Sequence, residues 1–299
     1  MPEQRPATFQ LVINLKRLLG CSVSRPRTQP CSSPVWADGD YGRLQAFTTE
    51  LVKRDVAVVF AVTLPHAPRP CQRGDRMTSA DQVTAHYSST DIARRIVEAV
   101  LRVNGADSPV TPDALAPLDH FHGRGLQATK ELVALLKPQQ GECILDIGGG
   151  IGGPARWIAS HFDCHVTTID LTPEFCRATE ELNAATAMTG RVRVVEGSAT
   201  ELPFTDDEFD RAYSENVAMN IADKLRFYAE AFRVIRRGGV FAFSNYGTGA
   251  HGHPYYPAPW AASAGTSFLS TLEETREELA AVGFEIVTCR EKTAEVLVT

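Results

Sequence analysis

The stretch Cys143-Ile144-Leu145-Asp146-Ile147-Gly148-Gly149-Gly150-Ile151-Gly152-Gly153-Pro154 decides the fold. Its apolar run from Cys143 to Leu145 predicts a buried parallel strand, which ends in an acid followed by five glycines within six residues. Pro154 then opens Ala155-Arg156-Trp157-Ile158-Ala159, which reads as a helix with proline in its first turn. Glycines between a strand end and a helix start leave bare backbone, so a ligand can lie there without meeting a Cβ. The expected fold is α/β: a Rossmann-like, doubly wound sheet with a nucleotide-type site at the carboxyl edge of its strands.

Two ligands compete for that turn. Gly148-x-Gly150-x-x-Gly153 satisfies the dinucleotide fingerprint, and Asp170 stands twenty residues past Gly150, where a ribose-binding acid is expected. Asp146 argues against a pyrophosphate, because its carboxylate would face a like charge. S-adenosylmethionine has no phosphate, and its sulfonium and ammonium groups suit an acid. Asp146-x-Gly148-x-Gly150-x-Gly152 also resembles motif I of the class I S-adenosylmethionine-dependent methyltransferases, of the methyltransferase type 11 or ubiquinone/menaquinone methyltransferase-like kind. That resemblance implies cofactor contacts from Asp146 and from Gly148, Gly149, Gly150 and Gly152. It also assigns Asp170 to the ribose hydroxyls, with Leu171 following it.

Further along, His165-Val166-Thr167-Thr168-Ile169-Asp170 reads as the second strand and Val192-Arg193-Val194-Val195-Glu196 as the third, with a helix between them that opens at Thr172-Pro173 and is expected to run to about Gly190. The Gly197-Ser198-Ala199-Thr200 loop resembles the family's adenine-contacting loop, with Ser198 where an Asp is usual and the Ala199 N–H as the safer partner. After the fourth strand, Tyr213-Ser214-Glu215-Asn216 falls at a carboxyl end, where active-site groups cluster in such sheets. His122, Tyr213, Glu215 and Asn216 are the candidate catalytic residues, with Glu215 a candidate cofactor contact as well. His120 and His122 are read either as general bases, acceptor contacts or half of a metal site, or as solvent-facing histidines of a helix-entry loop, a reading preferred for His120. A four-histidine metal site with His251 and His253 is disfavoured, since no Asp or Cys ligand pattern accompanies it. A helix is expected to run to Arg237 and stop at Gly238-Gly239. The aromatic loop with Tyr246, Tyr255, Tyr256 and Trp260 is read either as an acceptor pocket, including a cation–π cage, or as packing on the sheet edge.

Before the glycine turn, residues 91–103 predict an amphipathic helix and a second helix runs to about Leu136. The pair resembles the lid helices of small-molecule methyltransferases, giving lid helices over 79–137 and a core over 141–299. Residues 1–76 read differently. Arg5 to Lys16, and Trp36 through Val62, resemble fragments of ABC-transporter substrate-binding proteins, in the wrong order and too short to close a core. The expectation is a loosely packed, non-native-like extension with Met77 as the natural start. The family closes its sheet with an antiparallel seventh strand, for which only the last residues remain. That strand is expected over 294–299 or to be missing by truncation.

The 299-residue chain has a net charge of −6, which argues against a nucleic-acid surface. It has no apolar run of the ~20 residues a bilayer span requires. Seven scattered cysteines without a CxxC pair read as reduced thiols of a cytoplasmic protein. The expected activity is transfer of a methyl group from S-adenosyl-L-methionine to a small-molecule N-, O- or C-nucleophile. The rivals are an NAD-dependent oxidoreductase, which lacks a Tyr-x-x-x-Lys pair here, and a truncated or decayed methyltransferase that only binds cofactor.

Overall fold

The computed structural model describes residues 7–14, 82, 84, 91–249 and 254–293. The strands are β1 (Ala7–Asn14), β2 (Cys143–Ile147), β3 (His165–Asp170), β4 (Val192–Glu196), β5 (Phe209–Glu215), β6 (Ile235–Gly247) and β7 (Glu285–Glu291). Between them lie helices α1 (Ile92–Asn104), α2 (Pro112–Asp119), α3 (Gly125–Leu136), α4 (Gly153–Phe162), α5 (Pro173–Ala185), α6 (Lys224–Val234) and α7 (Leu272–Val282).

The sheet order is β4-β3-β2-β5-β6-β1-β7. The first five strands are parallel, and β1 runs antiparallel to both its neighbours. Strand order reverses at β2, which lies between β3 and β5, so the crevice of this open sheet falls at the end of β2. Alternation along β2 sends Leu145 and Ile147 to a core with α6 and α7, and Ile144 to a core with α3 and α4. Asp146 shares the second face. The lid helix α1 packs Ala93, Ile96 and Val100 against Leu115 of α2 and Leu182 of α5.

The structure departs from the sequence reading in four places. The most consequential concerns the amino-terminal segment, expected to be loosely packed. Its eight described residues pair from Ala7↔Gly247 to Asn14↔Val240 on one side and from Phe9↔Glu291 to Asn14↔Glu285 on the other. They occupy the antiparallel position expected of a carboxyl-terminal strand. The physical reason is that β6 and β7 each present an open edge there, and an eight-residue run without Gly or Pro satisfies both. The alternative strand at 294–299 lies outside the described residues.

Second, α2 is a helix that the periodicity does not predict. Thr111 Oγ1 accepts from Ala114 N at 3.2 Å and Pro112 fills the first turn, a start signal present in the sequence. Third, α6 stops at Val234, before the expected Arg237, because Ile235 already pairs with Phe209. The register then jumps to Arg211↔Val240, so Gly238 (φ 77°) and Gly239 serve a bulge and not a helix cap. A Cβ on Gly239 would come within 2.6 Å of Asp210 O. Finally, α5 ends at Ala185, before the expected Gly190.

Candidate active site

Asp146 and Asp170 end neighbouring strands at the same edge of the sheet, in the register Asp146↔Thr168. Both Asp170 oxygens accept a bond from the chain, each keeping a second acceptor site. Oδ2 accepts from Gly150 N at 2.8 Å and Oδ1 from Thr172 N at 2.9 Å, tying the glycine turn to the start of α5. Burial pushes the Asp170 pKa up against those bonds. Asp146 is 2% exposed and accepts a long bond from Thr168 Oγ1 at 3.4 Å. Burial, with the charges of Glu215 and Asp170 adding, pushes its pKa up to about 8.

The glycines of the turn prove to have different reasons for being there. A Cβ on Gly149 would stand 1.9 Å from Thr168 Oγ1 and 2.4 Å from Asp146 Oδ2. One on Gly148 would meet Val217, one on Gly152 Thr179 and Arg156, and one on Gly153 the backbone oxygen of Asp119 at 2.3 Å. These four are glycine because protein packs on them. Gly150 alone among the turn glycines (φ 55°) has nothing within 4 Å of its missing Cβ, so it is the one facing open space. Two substitutions separate these roles. Gly149→Ala is expected to lose ~1–3 kcal/mol of stability, because Thr168 and Asp146 must both move. Gly150→Ala is expected to fold with about 1–3 kcal/mol of backbone strain, yet to lose ligand affinity, since its methyl fills the open space. Thermal melts paired with cofactor calorimetry check both, and equal behaviour of the two variants would refute the division.

A buried arginine holds the turn from beneath. Arg156, fully buried on α4, donates from Nη2 to Ile151 O at 2.7 Å and to Asp119 Oδ2 at 2.9 Å, and from Nη1 to Asn183 Oδ1 at 3.2 Å. It therefore joins the lid helix α2, the glycine turn and α5. Nothing in its local sequence marks this role, because its partners are distant in the chain.

At the end of β5, Glu215 Oε2 accepts from Thr129 Oγ1 at 2.8 Å and lies 3.3 Å from His122 Nε2. Thr129 Oγ1 is 3.2 Å from the same nitrogen. His122 and Glu215, both candidates from the sequence, are thus brought together, with Thr129 as an unanticipated third member. Burial opposes both charges, but each stabilises the other: the His122 pKa is raised and that of Glu215 lowered. Asn216 follows with φ 57°, its N–H donating to Ser244 O at 2.8 Å and its Oδ1 buried without a partner. Tyr213 is placed differently. It is 1% exposed, sits opposite Asp146 in the ladder, and burial raises its pKa well above the usual phenol value. A phenol held neutral is a poor proton acceptor, so of the catalytic roles open to Tyr213 general base suits it least.

On the far side of Asp170, Leu171 is exposed enough to cover a ligand face. Ser198 Oγ engages Thr200, 2.8 Å from its Oγ1 and accepting from its N–H at 3.2 Å, so this hydroxyl shapes its own loop. Ala199 packs on the core below.

The run following Asn216 is a tether. Lys224 Nζ donates to Ala218 O and Ile221 O, each at 2.8 Å, and to Phe268 O. Asn220 Nδ2 donates to Trp260 O at 2.8 Å and to Thr266 O at 3.0 Å. Together they pin the loop between β6 and α7 onto the strand-end turn. Within that loop Trp260 stacks on Tyr246 at 4.9 Å and 16°, in a small core with Met219 and Ala258. Tyr246 and Trp260 therefore spend a face on each other, which favours packing for this pair. His251 and His253, half of the disfavoured four-histidine metal site, lie outside the described residues. Among the described residues no group of three His, Cys, Asp or Glu could hold a metal ion.

Five parallel strands and an acid-led glycine turn at the carboxyl end of β2 give this domain the fold of the class I S-adenosylmethionine-dependent methyltransferases. Residues 145–243 match the family model described as "Methyltransferase domain". Over 102 residues the chain is 32% identical to the glycine/sarcosine/dimethylglycine N-methyltransferase of Actinopolyspora halophila, covering 34% of this chain and 18% of that protein. The chain spans between 18% and 55% of the length of the curated relatives compared. Among solved structures, Haemonchus contortus phosphoethanolamine N-methyltransferase 2, with phosphomonomethylethanolamine and S-adenosylhomocysteine, superposes with a TM-score of 0.55 at 23% identity, over 70% of this chain and 44% of that one. The [4+2]-cyclase SpnF superposes with a TM-score of 0.54 at 22% identity, over 71% and 74%. At these identities the likeness is one of fold.

Proposed function

We propose that this protein transfers a methyl group from S-adenosyl-L-methionine to a small-molecule acceptor. The observation that carries the reading is the open face of Gly150 beside the buried Asp146 and the half-buried Asp170 on adjacent strand ends. Asp170, beside the open turn, suits the ribose hydroxyls, Leu171 and the loop of Ser198 and Ala199 suit the adenine, and Asp146 and Glu215 suit the cationic amino-acid end. Buried acceptor atoms without partners, Glu215 Oε1 and Asn216 Oδ1, are the kind a bound donor would satisfy. A pyrophosphate is disfavoured there, because the Glu215 carboxylate, held ionised beside His122, would repel it.

Bound there, the cofactor supplies a methyl group on a cationic sulfur and departs neutral. The chain's residues then have to orient the acceptor, exclude water and accept a proton if the acceptor carries one. Alignment alone supplies up to about 10 kcal/mol in well-oriented systems. The net charge of −6 supports a small molecule over a nucleic acid as acceptor. Among the described residues no helix is long and apolar enough to cross a membrane. Calorimetry with S-adenosylmethionine and with NAD, followed by a screen of amines, phenols and quinols for S-adenosylhomocysteine release, tests the proposal. Binding of NAD in place of S-adenosylmethionine would overturn it.

A further inference from the structure

The turn that leaves β5 and the loop that precedes α7 meet around one buried amine. Lys224 opens α6 and is 5% exposed. Its Nζ donates to Ala218 O and Ile221 O, each at 2.8 Å, and to Phe268 O. Three acceptors thus surround one nitrogen. An ammonium brings three hydrogens and a neutral amine only two, so the charged form is the one that completes the arrangement. Burial pushes the Lys224 pKa down to about 8, against the charges of Glu278 and Glu274 on α7, so the amine is still an ammonium at pH 7. Its three partners are neutral carbonyls. The charge is therefore held by backbone dipoles, as carbonyl rings hold a bare cation.

The surroundings tie this cluster to the cofactor edge. Ala218 begins and Ile221 follows the 3₁₀ turn Ala218–Asn220, which Val217 precedes. A Cβ on Gly148 would stand 2.4 Å from Val217 Cγ2, so the start of this turn rests on the glycine turn. Met219 N donates to Asn245 Oδ1 of β6 at 3.2 Å, and Met219 O accepts from Phe268 N at 2.7 Å. Phe268 is thereby held through both of its backbone groups, by Met219 at its N–H and by Lys224 at its carbonyl. Asn220 grips the same loop at Trp260 and Thr266. Of these groups Lys224 is the charged one, and its bonds reach the turn and the loop together.

We propose that the carbonyls of Ala218, Ile221 and Phe268 form a monovalent-cation cage that the Lys224 ammonium fills from within the chain. Lys224 is then the positioning residue that keeps the β5-end turn against Gly148 and the Phe268 loop against that turn. The ligand class that fits the cage is a small primary ammonium, with three N–H groups on one nitrogen. Cutting the side chain back to Ala leaves three carbonyls without that donor, and free ammonium or methylammonium supplies the same charge and the same hydrogens. The link from the cage to cofactor affinity rests on the methyltransferase reading above; the cage itself does not.

The first test uses the unmodified protein. Nitrogen–proton NMR of the lysine side chains at pH 6 should show Lys224 as a slowly exchanging ammonium, with hydrogen-bond couplings to the carbonyl carbons of Ala218, Ile221 and Phe268. A Lys224 signal that exchanges as fast as those of surface lysines would overturn the proposal. In Lys224→Ala, hydrogen exchange at the Phe268 amide should quicken by about 10- to 100-fold, and S-adenosylmethionine should bind about tenfold more weakly by calorimetry. Ammonium or methylammonium chloride should reverse both changes. Choline chloride at equal ionic strength should not, because choline is bulky and has no N–H. Lys224→Met, whose side chain fills the space, should exchange as fast as Lys224→Ala and gain nothing from ammonium. Wild-type exchange at Phe268 in Lys224→Ala, or equal recovery in choline, would overturn the cage. Failure of the unmodified protein to bind S-adenosylmethionine would overturn the methyltransferase reading instead, while the couplings and exchange rates still decide the cage.

Discussion

Asp146→Asn is expected to melt higher than the wild type at pH 8 while binding S-adenosylmethionine less tightly. The Asp146 carboxyl, buried beside Glu215 and Asp170, has its pKa raised from 3.8 to about 8. The folded protein therefore binds more protons than the unfolded chain between those values, so stability falls as pH rises from about 4 to 8. Every tenfold difference in proton affinity between the folded and unfolded chain is worth about 1.4 kcal/mol, which puts the cumulative cost on the order of 5 kcal/mol at pH 8. Asparagine has nearly the same shape and no charge, so the variant escapes that cost. At about 2–4 °C per kcal/mol for a domain of this size, the two melting curves should coincide near pH 4 and separate by about 10 °C or more at pH 8.

Binding shows the other side of the same linkage. A cationic ligand draws the proton off Asp146, so wild-type affinity should climb with pH and level off above about 8. Calorimetry in buffers of different ionisation heat should register close to one proton released per cofactor near pH 7. Asp146→Asn should show neither the climb nor the release, and should bind at least about tenfold more weakly at pH 8, the loss of ~1.4 kcal/mol. Parallel melting-versus-pH curves for the two proteins would remove Asp146 as the responsible group.

Removing residues 1–76, so that the chain starts at Met77, is expected to damage the fold. β1 stands between β6 and β7 and pairs with both, so its loss opens two sheet edges at once and leaves β7 without a strand partner among the described residues. Open edges are templates for intermolecular pairing. The shortened chain should sediment as aggregates or oligomers, and its thermal transition should be broader and at least about 10 °C lower. The cofactor edge, centred on β2 and β3, lies across the sheet from the deleted strand, so any monomer recovered should still bind S-adenosylmethionine. Adding a peptide of residues 7–14 should restore part of the lost stability. A Met77 start as soluble and as stable as the whole chain would vindicate the loosely packed segment expected from the sequence and remove β1 from the folded unit.

The cofactor edge was legible because its signals are local. A strand that ends in an acid, glycines at fixed offsets, and a second acid at the next strand's tip follow from spacing along a few dozen residues. The division of labour among the glycines was not legible. Gly149 and Gly150 are neighbours of the same type, and only the positions of Thr168 and Asp146 reveal that one is packed and the other open. Similarly, nothing local marks the purpose of Asn220 and Lys224, which lies in carbonyls on a loop some forty residues further on.

The sequence by itself determined the fold class and the sheet edge at which the glycine turn and its two acids meet, because periodicity and backbone sterics act between near neighbours. The tertiary structure decided which strand fills the antiparallel slot, that His122 meets Glu215 and Thr129, and how tightly the Asp146 proton is held. Each depends on partners brought together from distant parts of the chain, where hydrogen bonding, charge and exclusion of water set the outcome. No local pattern encodes those distances.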